Sequence, residues 1–249
     1  MRLFLHQLRG EQRLFWRSRE LAFFTFLLPI ILFVMLGSAY GDGEIEGTRG
    51  SDYLLAGMLG YGIVATTFAG LAISVVVRRE MGVLKRLRAT PLPAWTYVSA
   101  LLASTVLVFA LEAVVLFVLG TTLFDTELPS RPLSLAFLLG LGAVIFTGLG
   151  LALTSLVRSA EGSSAVVNAI WLPMSFISGS FFSPRDFPAF LQAIADVLPL
   201  TFLIRLVRDV MLHGESLFSQ LDSLLPLLAW GAAGLVVALR NFRWEPREG

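Results

Sequence analysis

Residues 54–77 read LLAGMLGYGIVATTFAGLAISVVV, 24 positions without one charged side chain. Coiled as an α-helix at ~1.5 Å per residue, the run is ~36 Å long. The hydrocarbon core of a bilayer is ~30 Å thick, so this stretch is long enough to cross it once. Five further apolar segments surround it. Residues 21–40 contain Pro29, and residues 96–124 are interrupted by a single charge, Glu112. Residues 133–157 carry Gly140, Gly142, Gly148 and Gly150, residues 165–182 are broken by Pro173, and residues 224–239 form the last run. The pattern predicts an all-α membrane protein with six transmembrane helices.

Composition agrees with the segments. The 249 residues are 56% hydrophobic and 15% charged, against roughly 25% charge in globular domains. A soluble domain of this size must cover its surface with polar groups, and this chain has too few. Zero cysteines exclude a disulfide scaffold, and a net charge of +1 argues against a nucleic-acid partner. One transmembrane domain over residues 1–249 leaves no room for a soluble catalytic unit.

The flanks are amphipathic. In residues 1–20, Leu3, Phe4, Leu8, Phe15 and Trp16 alternate with Arg2, Arg9, Arg13, Arg17 and Arg19. A signal-peptide n-region is the competing reading, but the apolar run at 21–36 exceeds a usual signal core. We therefore expect a retained helix in the headgroup plane, its arginines reaching toward water. Residues 183–223 are too charged to span. Two short helices at 187–198 and 201–212, split by Pro199, predict a re-entrant or interfacial pair before the last span.

The six segments sort the connecting regions into two sets. Fourteen of the 19 basic residues lie in one set: Arg2, Arg9, Arg13, Arg17, Arg19, Arg78, Arg79, Lys85, Arg86, Arg88, Arg158, Arg240, Arg243 and Arg247. Arg49, Arg131, Arg185, Arg205 and Arg208 make up the other. The excess of Lys and Arg in cytoplasmic loops places the first set inside, with both termini. The 183–223 region then faces outward.

The loop at 78–93 carries the most specific signal: Arg78-Arg79-Glu80-Met81-Gly82-Val83-Leu84-Lys85-Arg86-Leu87-Arg88-Ala89-Thr90-Pro91-Leu92-Pro93. It reads as a short cytoplasmic helix with Val83, Leu84 and Leu87 on one face. Thr90-Pro91 ends it, because proline disfavours helical geometry in the residue before it. A basic anchor on the inner leaflet would require neither Glu80-x-Gly82 nor the Thr90-Pro91-x-Pro93 stop.

This loop resembles the cytoplasmic loop of ABC-2 type transporter permeases, the membrane subunits of ATP-binding cassette exporters. A second match spans Ser178-Gly179-Ser180-Phe181-Phe182-Ser183-Pro184, Phe187-Pro188, Leu198-Pro199-Leu200-Thr201 and Arg205. The resemblance implies a homodimer, or a pair with a close relative, on two nucleotide-binding ATPase subunits that hold the ATP and Mg. It implies that Arg79, Glu80, Gly82, Leu84, Lys85, Arg86, Arg88, Thr90 and Pro91 form the ATPase contact, a coupling helix. Lys85, Arg86 and Arg88 serve equally well as contacts to lipid phosphates, each worth ~1 kcal/mol near an anionic leaflet. It further implies a bacterial or archaeal plasma membrane and export of a drug, natural product or lipid. Short outer loops and 20 phenylalanines favour hydrophobic or amphiphilic cargo over the family's polysaccharide cargoes.

Glu112 is the acid placed deepest in a span. A charge there costs at least ~2.5–3.5 kcal/mol on insertion scales, so the residue should face protein or water. It reads as a recognition group for polar or cationic cargo, as a protonated carboxyl bonded to a neighbouring helix, or as the ion-coupling group of a secondary transporter. Asn168, Ser175 and Ser178 give the fifth span a polar edge that lines a pathway or bonds other helices. Gly179, Phe181, Phe182, Pro199 and Arg205 are the candidate external gate. Catalytic constellations are missing from the sequence. It has no glycine-rich Lys-Ser/Thr phosphate loop, so ATP hydrolysis belongs on a separate subunit and the chain is not an enzyme. With no cysteine and two histidines, His6 and His213, at opposite ends, no metal site is expected.

Overall fold

The computed structural model describes residues 1–157 and 159–241, apart from the side chain of Phe218. Arg158, Arg243 and Arg247, three of the basic residues used for orientation, lie outside the described residues.

Helix α1 (Arg2–Arg17) leads into α2 (Arg19–Tyr40), and a small antiparallel hairpin, β1 (Glu44–Ile45) and β2 (Thr48–Arg49), follows. The next span is one continuous helix, Gly50–Glu80. Within it, α3 (Gly50–Ile63) passes through a π-helical segment (Val64–Gly70) into α4 (Leu71–Glu80). The loop helix α5 (Val83–Arg88) precedes α6 (Ala94–Leu123) and α7 (Pro132–Thr154). Then come α8 (Ala160–Ile177), the short α9 (Ala189–Ala195), α10 (Pro199–Leu212) and α11 (Leu221–Asn241). Among the described residues, five helices are long and apolar enough to cross a membrane: α2, the Gly50–Glu80 helix, α6, α7 and α11.

The fifth expected span, the run at 165–182, differs. Its helix begins at Ala160 and ends at Ile177, so it starts and stops about one turn earlier than the run at 165–182. Its 18 residues rise ~27 Å, and Glu161, Ser163, Ser164 and Asn168 make it more polar than the other five. Ser159 caps it by accepting from the Gly162 amide at 3.2 Å, the usual partner for an orphan helical N–H. Even so, α8 runs beside the second span. The Ala160 amide donates to the Glu80 carboxylate at one end, and the Ser180 carbonyl meets Gly57 beyond the other.

The region before α11 folds back on itself. Helices α9 and α10 meet at an angle of 80°, with Pro199 at the first position of α10. Ser183, ahead of the pair, donates to the Glu46 carboxylate. The α10 helix then lies along α3, with Ile204 against Gly60 and Arg208 over Tyr53. After it, Gly214 meets Ser130. The pair thus enters and leaves at the end of the bundle that holds the hairpin, with its bend inside: the expected re-entrant geometry.

Close backbone approach holds the interior together. A Cβ on Gly57 would collide with the Ser180 carbonyl oxygen, and one on Gly150 would lie 2.8 Å from that of Phe68. On α11, Gly231 accepts Ile145 and Gly234 accepts Leu149, so α7 and α11 pack tightly. Small residues let helix backbones approach, the usual glue where lipid removes the hydrophobic drive. Helix α1 is docked as well as amphipathic. Gln12 donates to both the carbonyl and the hydroxyl of Ser104 at 3.0 Å, and Glu11, 3% exposed, pairs with Arg78 at 2.7 Å.

Candidate functional site

The loop at 78–93 is built by α4 ending and α5 starting across Gly82. That residue has φ +70°, a left-handed conformation that strains residues bearing a Cβ. The reversal turns Leu84 inward to 0% exposure. Together with Leu87 and Leu92 it packs into a separate cluster of Leu71, Val75, Tyr97, Leu101, Leu151 and Ala238. Thr90 ends the turn by donating to the Leu87 carbonyl at 2.6 Å.

The nine residues assigned to the ATPase contact therefore fall into two groups. Arg79 and Leu84 are buried and face the protein itself. The Arg79 guanidinium, 4% exposed, donates to the carbonyls of Thr154 at 2.9 Å and Val157 at 2.7 Å. It thus places a cation on the last carbonyl of α7, where the helix dipole is negative, and ties it to the chain just beyond. Glu80, Lys85, Arg86, Arg88, Thr90 and Pro91 are exposed, with Gly82 at the hinge between the groups. The Glu80 bond to the start of α8 and the Glu11–Arg78–Tyr97 chain connect this loop to three other helices. The loop thus touches α1, α6, α7 and α8 directly.

Glu112 is 1% exposed, and among the described residues neither carboxylate oxygen has a hydrogen-bond partner. Its Oε1 lies against Gly62 of α3, just before the π segment, in the space that a Cβ there would enter. The Gly62 carbonyl accepts from the Thr66 hydroxyl at 2.7 Å. The expected pathway residues do not form one line. Asn168 is on the exposed side of α8, accepting from the Trp171 indole at 2.8 Å. Ser175 is buried and donates to the Trp171 carbonyl, and the Ser178 hydroxyl is buried without a partner among the described residues. The Tyr61 ring packs against those of Trp171 and Phe181, each at 5.3 Å, and joins the second span to α8 and the turn after it.

The candidate gate also sorts by burial. Phe181 and Pro199 are buried, Phe182 is exposed, and Gly179 has φ +89°. Arg205 is exposed and pairs with Asp196 at 2.5 Å. The residue that ties this end together is Arg208, which is absent from the gate expected from sequence. Its guanidinium carbon sits 3.4 Å from the centroid of the Tyr53 ring, and it donates to the Gly179 carbonyl. Tyr53 in turn donates to Glu46, which pairs with Arg185 at 3.8 Å. Helical spacing carried the signal: Arg208 shares a face with Ile204, Val207 and Met211, all buried, whereas Arg205 points away.

Comparison with known proteins agrees with this architecture. The model of the ABC-2 type transporter family matches residues 2–212. A Bacillus subtilis protein named as transport permease YvfS is 22% identical over 191 residues, 76% of this chain and 78% of that protein. The inner membrane transport permease YhhJ of Escherichia coli is 27% identical over 73% of this chain, and a protein of the same organism named as multidrug ABC transporter permease YbhR is 23% identical over 69%. The matches span only 48% and 47% of these two proteins. Among the described residues, five helices able to cross a membrane and a re-entrant pair join a family match over most of the length in one conclusion: this chain belongs to the ABC-2 type transporters and is a transport permease.

Proposed function

We propose that the chain is the membrane subunit of an ATP-driven exporter for hydrophobic or amphiphilic cargo, working in pairs on two nucleotide-binding subunits. The observation that carries this reading is the two-sided loop at 78–93. Its apolar face is sunk into the bundle, and its polar face, Glu80, Lys85, Arg86, Arg88, Thr90 and Pro91, is left outside. A lipid anchor needs only the cations; a lever needs a rigid root and a presented surface. The multidrug name of one relative supports the cargo class.

In this mechanism, closure of the ATPase pair pushes on the exposed loop face. Arg79, clamped on the α7 terminus, and Glu80, bonded to the start of α8, carry the displacement into the spans. The seam between two permeases, formed by α2 and α8, opens toward the hairpin end. The Gly179–Arg208–Tyr53 contacts hold that end until it does. The loop end faces the cytoplasm of a prokaryotic cell, and the re-entrant pair faces outward.

Co-purification tests this reading. The permease should bring down a nucleotide-binding subunit with vanadate-sensitive ATPase, and Lys85→Glu with Arg86→Glu and Arg88→Glu should abolish the complex in a permease that remains folded. A complex unaffected by the triple substitution, or transport driven by an ion gradient alone, overturns it.

A further inference from the structure

A groove of 530 Å³ runs down the side of the bundle between α7, α8 and α11, within the ~300–1,000 Å³ of small-molecule sites. Its floor is buried and apolar, formed by Phe68, Phe146, Leu153 and Met174. Its rims are half exposed: Ile170 on α8 at 42%, and Trp230 and Val237 on α11 at 41% each. One end is closed by the bend of the re-entrant pair, Leu198 and Pro199, where the Trp230 indole donates to the Val197 carbonyl at 3.0 Å. The other end, at Ser155 and Asn241, holds its polar groups and lies next to Thr154, whose carbonyl accepts from Arg79. From Trp230 to Asn241 the wall advances by about 11 residues, ~16 Å at 1.5 Å per residue. That is about half of a ~30 Å hydrocarbon core, the depth of one leaflet.

We infer that this groove binds one hydrocarbon chain of a lipid-like amphiphile from the leaflet beside the coupling loop, with the polar headgroup at Ser155 and Asn241. The polarity of the lining selects this occupant. An apolar body one leaflet deep with polar groups at its mouth repeats the profile of an inserted amphiphile, whereas a second apolar protein helix would leave the mouth unmatched. The closed end stops the chain tip at the bend, so a bound chain touches the element that leads into the gate. The amphiphile's role as cargo rests on the exporter reading; its binding does not.

The chain lacks cysteine, so Val237→Cys and Leu107→Cys each give a unique labelling position. Val237 is on the groove rim. Leu107 is exposed on α6, about one turn beyond the Ser104 contact to α1, and is not part of the groove lining. Each variant of the full chain, carrying bimane, goes into nanodiscs of unbrominated phosphatidylcholine and is titrated with dibromostearoyl lysophosphatidylcholine, which quenches on contact. Quenching at Val237 should saturate, with a half-point at about tenfold lower mole fraction than at Leu107, where it follows bulk partitioning. Ile170→Trp, a rim substitution that fills the groove, should remove the saturable part. Equal, unsaturable quenching at both positions, or saturation unaffected by Ile170→Trp, overturns the inference. No ATPase or transport is read, so this outcome is separate from the fate of the exporter reading.

Discussion

Replacing Arg79 by glutamine separates a structural clamp from a partner contact. Among the described residues, the substitution removes the charge-assisted hydrogen bonds to the carbonyls of Thr154 and Val157. Hydrogen bonds to charged groups contribute about 1.5–3 kcal/mol each. The two share one guanidinium and glutamine can keep one carbonyl, so the sum is not additive, and the expected loss is about 3 kcal/mol. For a chain of this size 1 kcal/mol moves Tm by about 2–4 °C, which predicts a fall of roughly 6–12 °C. The assay is thermal unfolding of the purified permease in nanodiscs, with no ATPase present. Arg79→Lys should recover only part, because a single ammonium does not reproduce the planar fork of guanidinium. Lys85→Gln with Arg86→Gln and Arg88→Gln, all on the exposed face, should leave Tm within about 2 °C, in keeping with surface substitutions of about ±0.5 kcal/mol. If Arg79→Gln unfolds with wild type yet loses the ATPase, Arg79 is a partner contact and the division of the loop into root and surface is wrong.

Other substitutions test the interior. Gly57→Ala should destabilise by about 1–3 kcal/mol through overpacking on the Ser180 carbonyl, although alanine is the better helix former by ~1 kcal/mol; a rise in Tm refutes the close approach. Glu112→Leu should be neutral or stabilising by about 1 kcal/mol, since it removes a buried carboxyl without a partner among the described residues; a clear loss of stability would reveal a bonded carboxyl. Arg208→Met should loosen the hairpin end by about 2 kcal/mol, the scale of a desolvated cation–π pair. It should speed thiol labelling of Ser183→Cys, and an unchanged labelling rate removes Arg208 from the gate.

Much of this protein is legible in one dimension because lipid imposes a length rule on every span. The runs at 21–40, 54–77, 96–124, 133–157 and 224–239 all become helices that can cross. The run at 165–182 lies one turn later than the helix it announces, because the Ser159 cap and the polar first turns of α8 escape a reading by apolarity alone. The re-entrant pair is legible from Pro199 and the charges around it. The π segment at Val64–Gly70 is not, since nothing in its residues departs from an ordinary span.

The sites divide along the same line. Residues 78–93 announce a helix, a hinge at Gly82 and a stop at Thr90-Pro91, all local backbone chemistry. Which of their side chains face the bundle is decided by helices far along the chain. Leu151 of α7 and Ala238 of α11 join Leu84 in one cluster, and Thr154 accepts from Arg79 across 75 positions of sequence. Likewise, helical spacing puts Arg205 and Arg208 on different faces of one short helix, and only the packing of α10 on α3 shows that the Arg208 face is seated over Tyr53.

The sequence by itself determined the membrane, the approximate place of the spans and the presence of a basic loop, because these follow from the length and polarity of contiguous residues. Tertiary structure decided which loop residues are root and which are surface, that Glu112 is sealed against Gly62, and that a groove one leaflet deep lies beneath the re-entrant bend. Each of these depends on side chains from helices distant in the chain meeting at one place, and nothing in the order of residues records such a meeting.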